Sequence, residues 1–217
     1  MKKFAFFIFL CLSFGTLFAQ ESVKLQNAGN DALNAKDYAK ALENYEKALA
    51  VWGTLPQDYA MIYNCAICAI KVNDMDKAIK YYDIAYANNY RAEDALFNKA
   101  AILKFQKKND EYQKAITEGN TKFPQNVKFK VEISKNYFAE AVGHVNAANA
   151  ILKAAIDKIN TKKFKDAKDP GYVAEMGKAK KEFALAITSL DKTLEYNPAD
   201  DKAKALKETC DKQIATL

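Results

Sequence analysis

Histidine is almost missing from this chain: His144 is the single one in 217 residues. With no cysteine or aspartate beside it, it makes neither a nucleophile–base pair nor part of a histidine metal set. Glycine (seven) and proline (four) are also scarce, and no glycine-rich loop shaped to cradle a phosphate occurs. No carboxylates fall at the spacing of a metal site. The acidic run Asn197-Pro-Ala-Asp-Asp201 sits between two helical patterns and is explained by turn and capping chemistry. The net charge of +6 is mixed along every helical segment, which fits solvated outer faces and argues against a nucleic-acid surface. Beyond the first residues no apolar run is long enough to cross a bilayer. These absences lead us to expect no catalysis, no cofactor, no metal and no nucleic-acid partner. An alanine- and lysine-rich chain with so few helix breakers is expected to be all-helical with short turns.

The exception among apolar runs lies at the start. Lys2-Lys3, an almost wholly apolar Phe4 to Phe14, and Thr16-Leu-Phe-Ala19 before Gln20 read as a secretory signal peptide, residues 1–19, cleaved near Ala19. Cys11 follows the bulky Leu10 and is not read as a lipoprotein cysteine. The expected destination is the periplasm or the medium. Cys65, Cys68 and Cys210 remain after cleavage. The Cys65-Ala-Ile-Cys68 spacing suits a redox or metal pair, but it falls in mid-helix with no strand before it. Small apolar core residues are the alternative explanation.

What recurs is a pair of helical segments. Ala78, Tyr82 and Ala85 set a small, an aromatic and a small residue on one helical face. Ala41, Tyr45 and Ala48 stand 37 residues earlier, and Gly29 precedes Ala66 by the same interval. Phe97-Asn98-Lys99-Ala100 repeats Tyr63-Asn64-Cys65-Ala66 at an interval of 34, and Ala186, Leu190 and Thr193, followed by Asn197-Pro198, repeat the second helix. A helix-turn-helix unit of this period resembles the tetratricopeptide repeat (TPR), with Gly29, Tyr38, Ala41, Tyr45, Ala48 and Pro198 at signature positions. The first-helix tryptophan of that family is absent, and Gly119 and Lys122 replace the aromatic and small residues in the third copy.

The resemblance implies an all-α, right-handed α-solenoid of about four helix pairs. Residues 20–126 are expected to hold repeats 1–3, and 127–198 a fourth repeat with elongated antiparallel helices. Phe138, Ala141, Val145, Ala148, Leu152, Ala155 and Ile159 alternate three- and four-residue steps, as do Val173, Met176, Lys180, Phe183, Ile187, Leu190 and Leu194. That 3.5 period predicts a helical hairpin with the stem of Lys180 in the seam. In 199–217, Ala203, Leu206, Cys210, Ile214 and Leu217 line one face of a capping helix.

The resemblance also implies a non-catalytic interaction scaffold of the cell envelope that holds a peptide or protein segment against its first helices. Opposite the core face of each first helix lie Gln26, Asn27, Asn30, Leu33 and Asn34; then Tyr63, Asn64, Ile67, Ile70 and Lys71; then Phe97, Asn98, Ala101, Lys104 and Phe105. Asn27, Asn64 and Asn98 form a column whose amides can donate to and accept from an extended peptide, or bridge adjacent helices instead. Tyr63 and Phe97 would anchor apolar groups, and Lys71 and Lys104 an acidic one. Two other readings stand beside this one: a thiol-active or metal-binding envelope protein using Cys65 and Cys68, and a docking tip formed by Lys162-Lys-Phe-Lys-Asp-Ala-Lys168.

Overall fold

The computed structural model describes residues 20–52 and 56–217, so the expected signal peptide, with Lys2, Lys3 and Cys11, lies outside the described residues. Among the described residues there is no strand. The helices are α1 (20–34), α2 (Tyr38–Ala50), α3 (Tyr59–Lys71), α4 (Met75–Ala87), α5 (Ala92–Phe105), α6 (Asn109–Lys122), α7 (Val127–Asn160), α8 (Pro170–Tyr196) and α9 (Asp201–Thr216). They fall into two compact units that meet between Gly119 and Asn120.

Aspartate sets most of the helix starts. Asp37, Asp58, Asp74 and Asp200 each accept a backbone N–H from three residues on, at 2.9–3.1 Å, satisfying a donor that the first turn leaves free. The helix of the second pair opens at Tyr59, three residues past Pro56, because the Asp58 carboxylate meets the amide of Met61. Helix ends are equally regular. Lys36, Asn73, Asn89, Lys107 and Lys162 adopt φ between 56° and 64°. At each, two amides fold back onto the last turn, as when Lys36 N bonds Leu33 O and Asp37 N bonds Ala32 O, both at 2.9 Å. Glycine usually occupies such positions; lysine there costs about 1 kcal/mol. The chain thus makes sharp turns while containing little glycine.

In the first unit the small–aromatic–small pattern is the core. Ala41, Tyr45, Ala48, Ala78 and Ala85 are wholly buried, as are Cys65, Ala66, Cys68 and Ala69 of the central α3. Gly29 is required by contact: a Cβ there would stand 2.5 Å from the Tyr45 ring. Polar bonds join like helices of successive pairs. Gln26 of α1 donates to Asp58, the cap of α3, and Asn98 of α5 donates to Tyr63 of α3 at 3.1 Å. In the other layer Tyr81 and Lys77 of α4 reach Glu46 of α2 at 2.9 and 3.0 Å, and Tyr86 reaches Glu118 of α6.

In the second unit α7 runs unbroken through Gly143 and pairs antiparallel with α8. Tyr137 stacks on Tyr196, His144 Nδ1 lies 2.7 Å from Glu182, and Lys158 pairs with Glu175. On α7 Ala141, Ala148 and Ala155, one per seven, are wholly buried, as is Phe129 in the first turn. On α8 Met176, Phe183 and Leu190 of the expected stripe are buried, with Ala179, Ala186 and Thr193 wholly buried beside them, whereas Lys180 and Val173 are exposed. The middle helix needs two apolar faces, one toward α7 and one toward α9, and the 3.5 period mixes both. Phe183, Ile187, Leu190 and Leu194 share one cluster with Phe138, Ala141, Val145, Ala148 and Leu152 of α7 and with Ala203, Leu206, Cys210 and Ile214 of α9. Leaving Lys180 exposed also avoids drawing an ammonium out of water.

Substituting Gly29→Ala is expected to lower stability by about 1–3 kcal/mol through overpacking against the fixed Tyr45 ring. Gly143→Ala, whose added Cβ meets nothing within 4 Å, is expected to raise stability by about 0.5–1 kcal/mol. Urea unfolding of the two variants measures both, and a neutral Gly29→Ala would refute the contact.

Candidate functional site

Helix α3 organises the candidate face. It lies between α2 and α4, which bury Met61, Ile62, Cys65, Ala66, Cys68 and Ala69, leaving Asn64, Ile67 and Ile70 half-buried and Lys71 exposed. The Asn98–Tyr63 bond sets α5 beside α3, so by helical rise Phe105 comes level with Ile70. The stripe is therefore continuous across the two helices, but its members divide into two groups.

The first group holds the stack together. Tyr63 is buried, not presented: the Arg91 guanidinium lies 4.7 Å above its ring, with Tyr82 and Tyr90 edge-on at 5.3 and 6.0 Å. Asn98 donates to the hydroxyls of Tyr63 and Tyr82 at 3.1 and 3.3 Å. Asn30 accepts from the Tyr45 hydroxyl at 2.8 Å, and the side chain of Asn64 hydrogen-bonds the same hydroxyl. The asparagine column is thus the second repeat of a single device, in which Asn64 and Asn98 each meet the buried tyrosine of the preceding pair. Asn27, with no described pair before it, is exposed. Burial pushes the phenols of Tyr45 and Tyr82 up to about 12.

The second group faces outward. Asn27 and Asn34 are exposed, Ile67 and Phe97 half-buried, and Phe105 is 72% exposed, the highest value among the large exposed apolar residues described. Lys71 and Lys104 lean over aromatic rings, Nζ 5.8 Å from the Tyr38 centroid and 5.1 Å from that of Tyr112. Arg91 and Glu46 hold these helices together and were not singled out from the sequence: Arg91 lies in a turn, and Glu46 is one of two acids on α2.

The other candidates fare differently. Cys65 and Cys68 are wholly buried, and desolvation pushes both thiols up, Cys68 to about 11 and Cys65 further, with Cys68 beside it adding to the shift. A nucleophilic or metal-binding thiol needs the opposite shift. Among the described residues no three His, Cys, Asp or Glu side chains gather as a metal set. At the tip between α7 and α8, Lys162, Lys163, Lys165 and Lys168 are exposed, but Phe164 is half-buried against Gly171 with Lys158 Nζ 5.1 Å above it. Backbone amides of Lys165 and Gly171 hold the Asp169 carboxyl below its usual range.

A solved structure of a TPR repeats protein from Bacteroides fragilis is similar to this chain, with a TM-score of 0.63 and 25% identity, covering 89% of this chain and 99% of that one. The chain has a tetratricopeptide-repeat fold. It is all-α, of the solenoid class built by stacked helix pairs, whose members present helix faces for protein–protein interaction. Two curated proteins named Photosystem I assembly protein Ycf3 are also similar. The one from Acaryochloris marina is 26% identical over 125 residues, 56% of this chain and 75% of that protein. The one from Rippkaea orientalis is 32% identical over 88 residues, 41% of this chain and 51% of that protein. No family model matches the chain. Among the described residues no helix is long and apolar enough to cross a membrane.

Two measurements check this site. A phenol whose folded pKa is raised contributes stability that is present below about pH 10 and lost as pH rises toward 12. The urea midpoint is therefore expected to fall between pH 10 and 12, and to fall less steeply in Tyr82→Phe. Iodoacetamide at pH 8 is expected to label Cys65 and Cys68 only once urea unfolds the chain; native labelling at the rate of a free thiol would restore the thiol reading.

Proposed function

We propose that this chain is a non-catalytic adaptor, exported through its leader, that holds a peptide or protein segment on the face formed by α1, α3 and α5. The exposure of Phe105, with Lys71 and Lys104 in the last turns of α3 and α5, carries the reading. A phenylalanine left in water at a helix end, flanked by positioned cations, suits an extended segment with an apolar and an acidic side chain. Asn27, Asn34 and Gln26 extend the face along α1, and Ile67, Phe97 and Asn98 form its floor. Asn64, Asn98, Asn30 and Tyr63 contribute mainly by fixing helix positions, which presents the outward residues with little ordering cost on binding. Two relatives whose names describe an assembly protein are in keeping with a role in bringing proteins together. Export, and with it a place in an envelope complex, rests on the leader pattern of residues 1–19.

The test begins by selecting ligands for the full chain from a random peptide library and measuring their affinity by calorimetry. Phe105→Ala combined with Lys104→Ala is expected to weaken binding by about tenfold or more with the melting temperature preserved. Full affinity in that variant, with binding lost when Lys162, Lys163 and Lys165 become serine, would move the site to the tip. Fusing residues 1–25 to alkaline phosphatase, which is active only outside the cytoplasm, tests export; an inactive fusion would remove it from the proposal.

A further inference from the structure

Basic and acidic side chains balance along most of this chain. Between residues 153 and 181 nine lysines meet four acids, whereas the rest of residues 20–217 hold 22 lysines and arginines against 23 acids. The whole positive excess of these residues therefore gathers at one place: the turn that joins α7 to α8 and the helix ends beside it.

The turn is ordered by its backbone and by its acids. The amides of Lys163 and Phe164 both return to the Lys158 carbonyl, at 2.8 and 3.0 Å, and Phe164 is folded inward against Gly171. Asp166 accepts the Lys168 amide at 2.7 Å, and Asp169 accepts those of Lys165 and Gly171 at 3.1 and 2.8 Å. Glu175 takes Lys158 and Lys178, at 3.2 and 3.4 Å. Three of the four acids are thus committed, two of them to amides rather than to lysines, and Asp157 is exposed one turn before the end of α7. Lys162, Lys163, Lys165 and Lys168 are all exposed, and among the described residues none of them has an ion-pair partner. A fixed loop therefore presents four unpaired ammonium groups to solvent.

We infer that this turn is an electrostatic contact for an anionic lipid bilayer, touching the headgroups without inserting between them. The place of Phe164 decides the occupant. A protein segment is held firmly where an apolar or aromatic anchor sits at the centre of the contact, and the one aromatic of residues 162–168 is taken up inside the loop. A headgroup layer needs no anchor. Its charges are mobile and spread over a plane, so they meet lysines in any arrangement, and each lysine strengthens binding by about fivefold. With Phe164 folded inward there is no wedge to enter the acyl region, so the contact is reversible and sensitive to salt. It is separate from the face on α1, α3 and α5 and depends neither on that face nor on export.

The probe is a vesicle of equal parts phosphatidylglycerol and phosphatidylcholine, sedimented with residues 20–217, which contain every described helix. Co-sedimentation is expected with these vesicles and not with phosphatidylcholine alone, and is expected to disappear as KCl rises from about 0.05 M to about 0.5 M. Lys162→Gln combined with Lys163→Gln should weaken partitioning by about twentyfold. The melting temperature should not move, because neither side chain has a partner to lose. Lys24→Gln with Lys202→Gln removes the same charge from exposed positions elsewhere and should change partitioning by no more than about twofold. Equal weakening by the two pairs would make binding a matter of net charge and overturn the inference, as would absence of binding to the anionic vesicles. A fluorescein-labelled peptide of glutamate and leucine supplies the contrasting arm. Its capture, lost in Lys162→Gln with Lys163→Gln while vesicles fail to bind, would make the turn a protein contact and overturn the inference too.

Discussion

A tyrosine ring fills space that alanine cannot, but its hydroxyl must have a partner, and the first unit is arranged around that constraint. Tyr45 and Tyr82 are almost wholly buried. An unsatisfied buried hydroxyl costs about 1–3 kcal/mol, comparable to the gain from burying several methylenes. Asn30 and Asn64 meet the first hydroxyl and Asn98 the second. Other choices follow from this one. Gly29 is small because the Tyr45 ring lies against it, and Ala41, Ala48, Ala78 and Ala85 are small because the rings need neighbouring helices close by.

Much of this was legible in the sequence, because small–aromatic–small spacing survives as plain intervals of 37 and because an aspartate at a helix start has a strong local preference. The asparagine column was visible too, but its use was not. A helical period says at what angle Asn64 and Asn98 leave their own helices; it does not say which hydroxyl waits there. Tyr63 was read as an anchor for a ligand because one face of α3 was taken as open, whereas a residue from the turn before α5, Arg91, closes over it. On α8 the expected stripe packs from Phe183 to Leu194 and departs at Lys180, which is exposed beside the buried Ala179: a helix packed on two sides superposes two periodicities.

The same division bears on function. Polar side chains on the inner face are not automatically ligand contacts, since several are already committed to tyrosines, and the accessible chemistry narrows to Phe105, the two lysines and the amides of α1. The buried thiols of α3 serve as apolar filling between α2 and α4: their ionisation is opposed by the same desolvation that makes them useful in a core.

The amide of Asn98 serves two tyrosines at once, one on each helix of the preceding pair. Peeling α5 away therefore takes the Asn98 amide from two buried phenols in a single event. A stack joined only by apolar contact can fray helix by helix, with each loss graded by area. Here the junction behaves as a latch, so that the boundary between ordered and melted chain moves in steps of a whole pair. The length of chain that unfolds together is set by which amide holds which hydroxyl, more than by how much surface each pair covers.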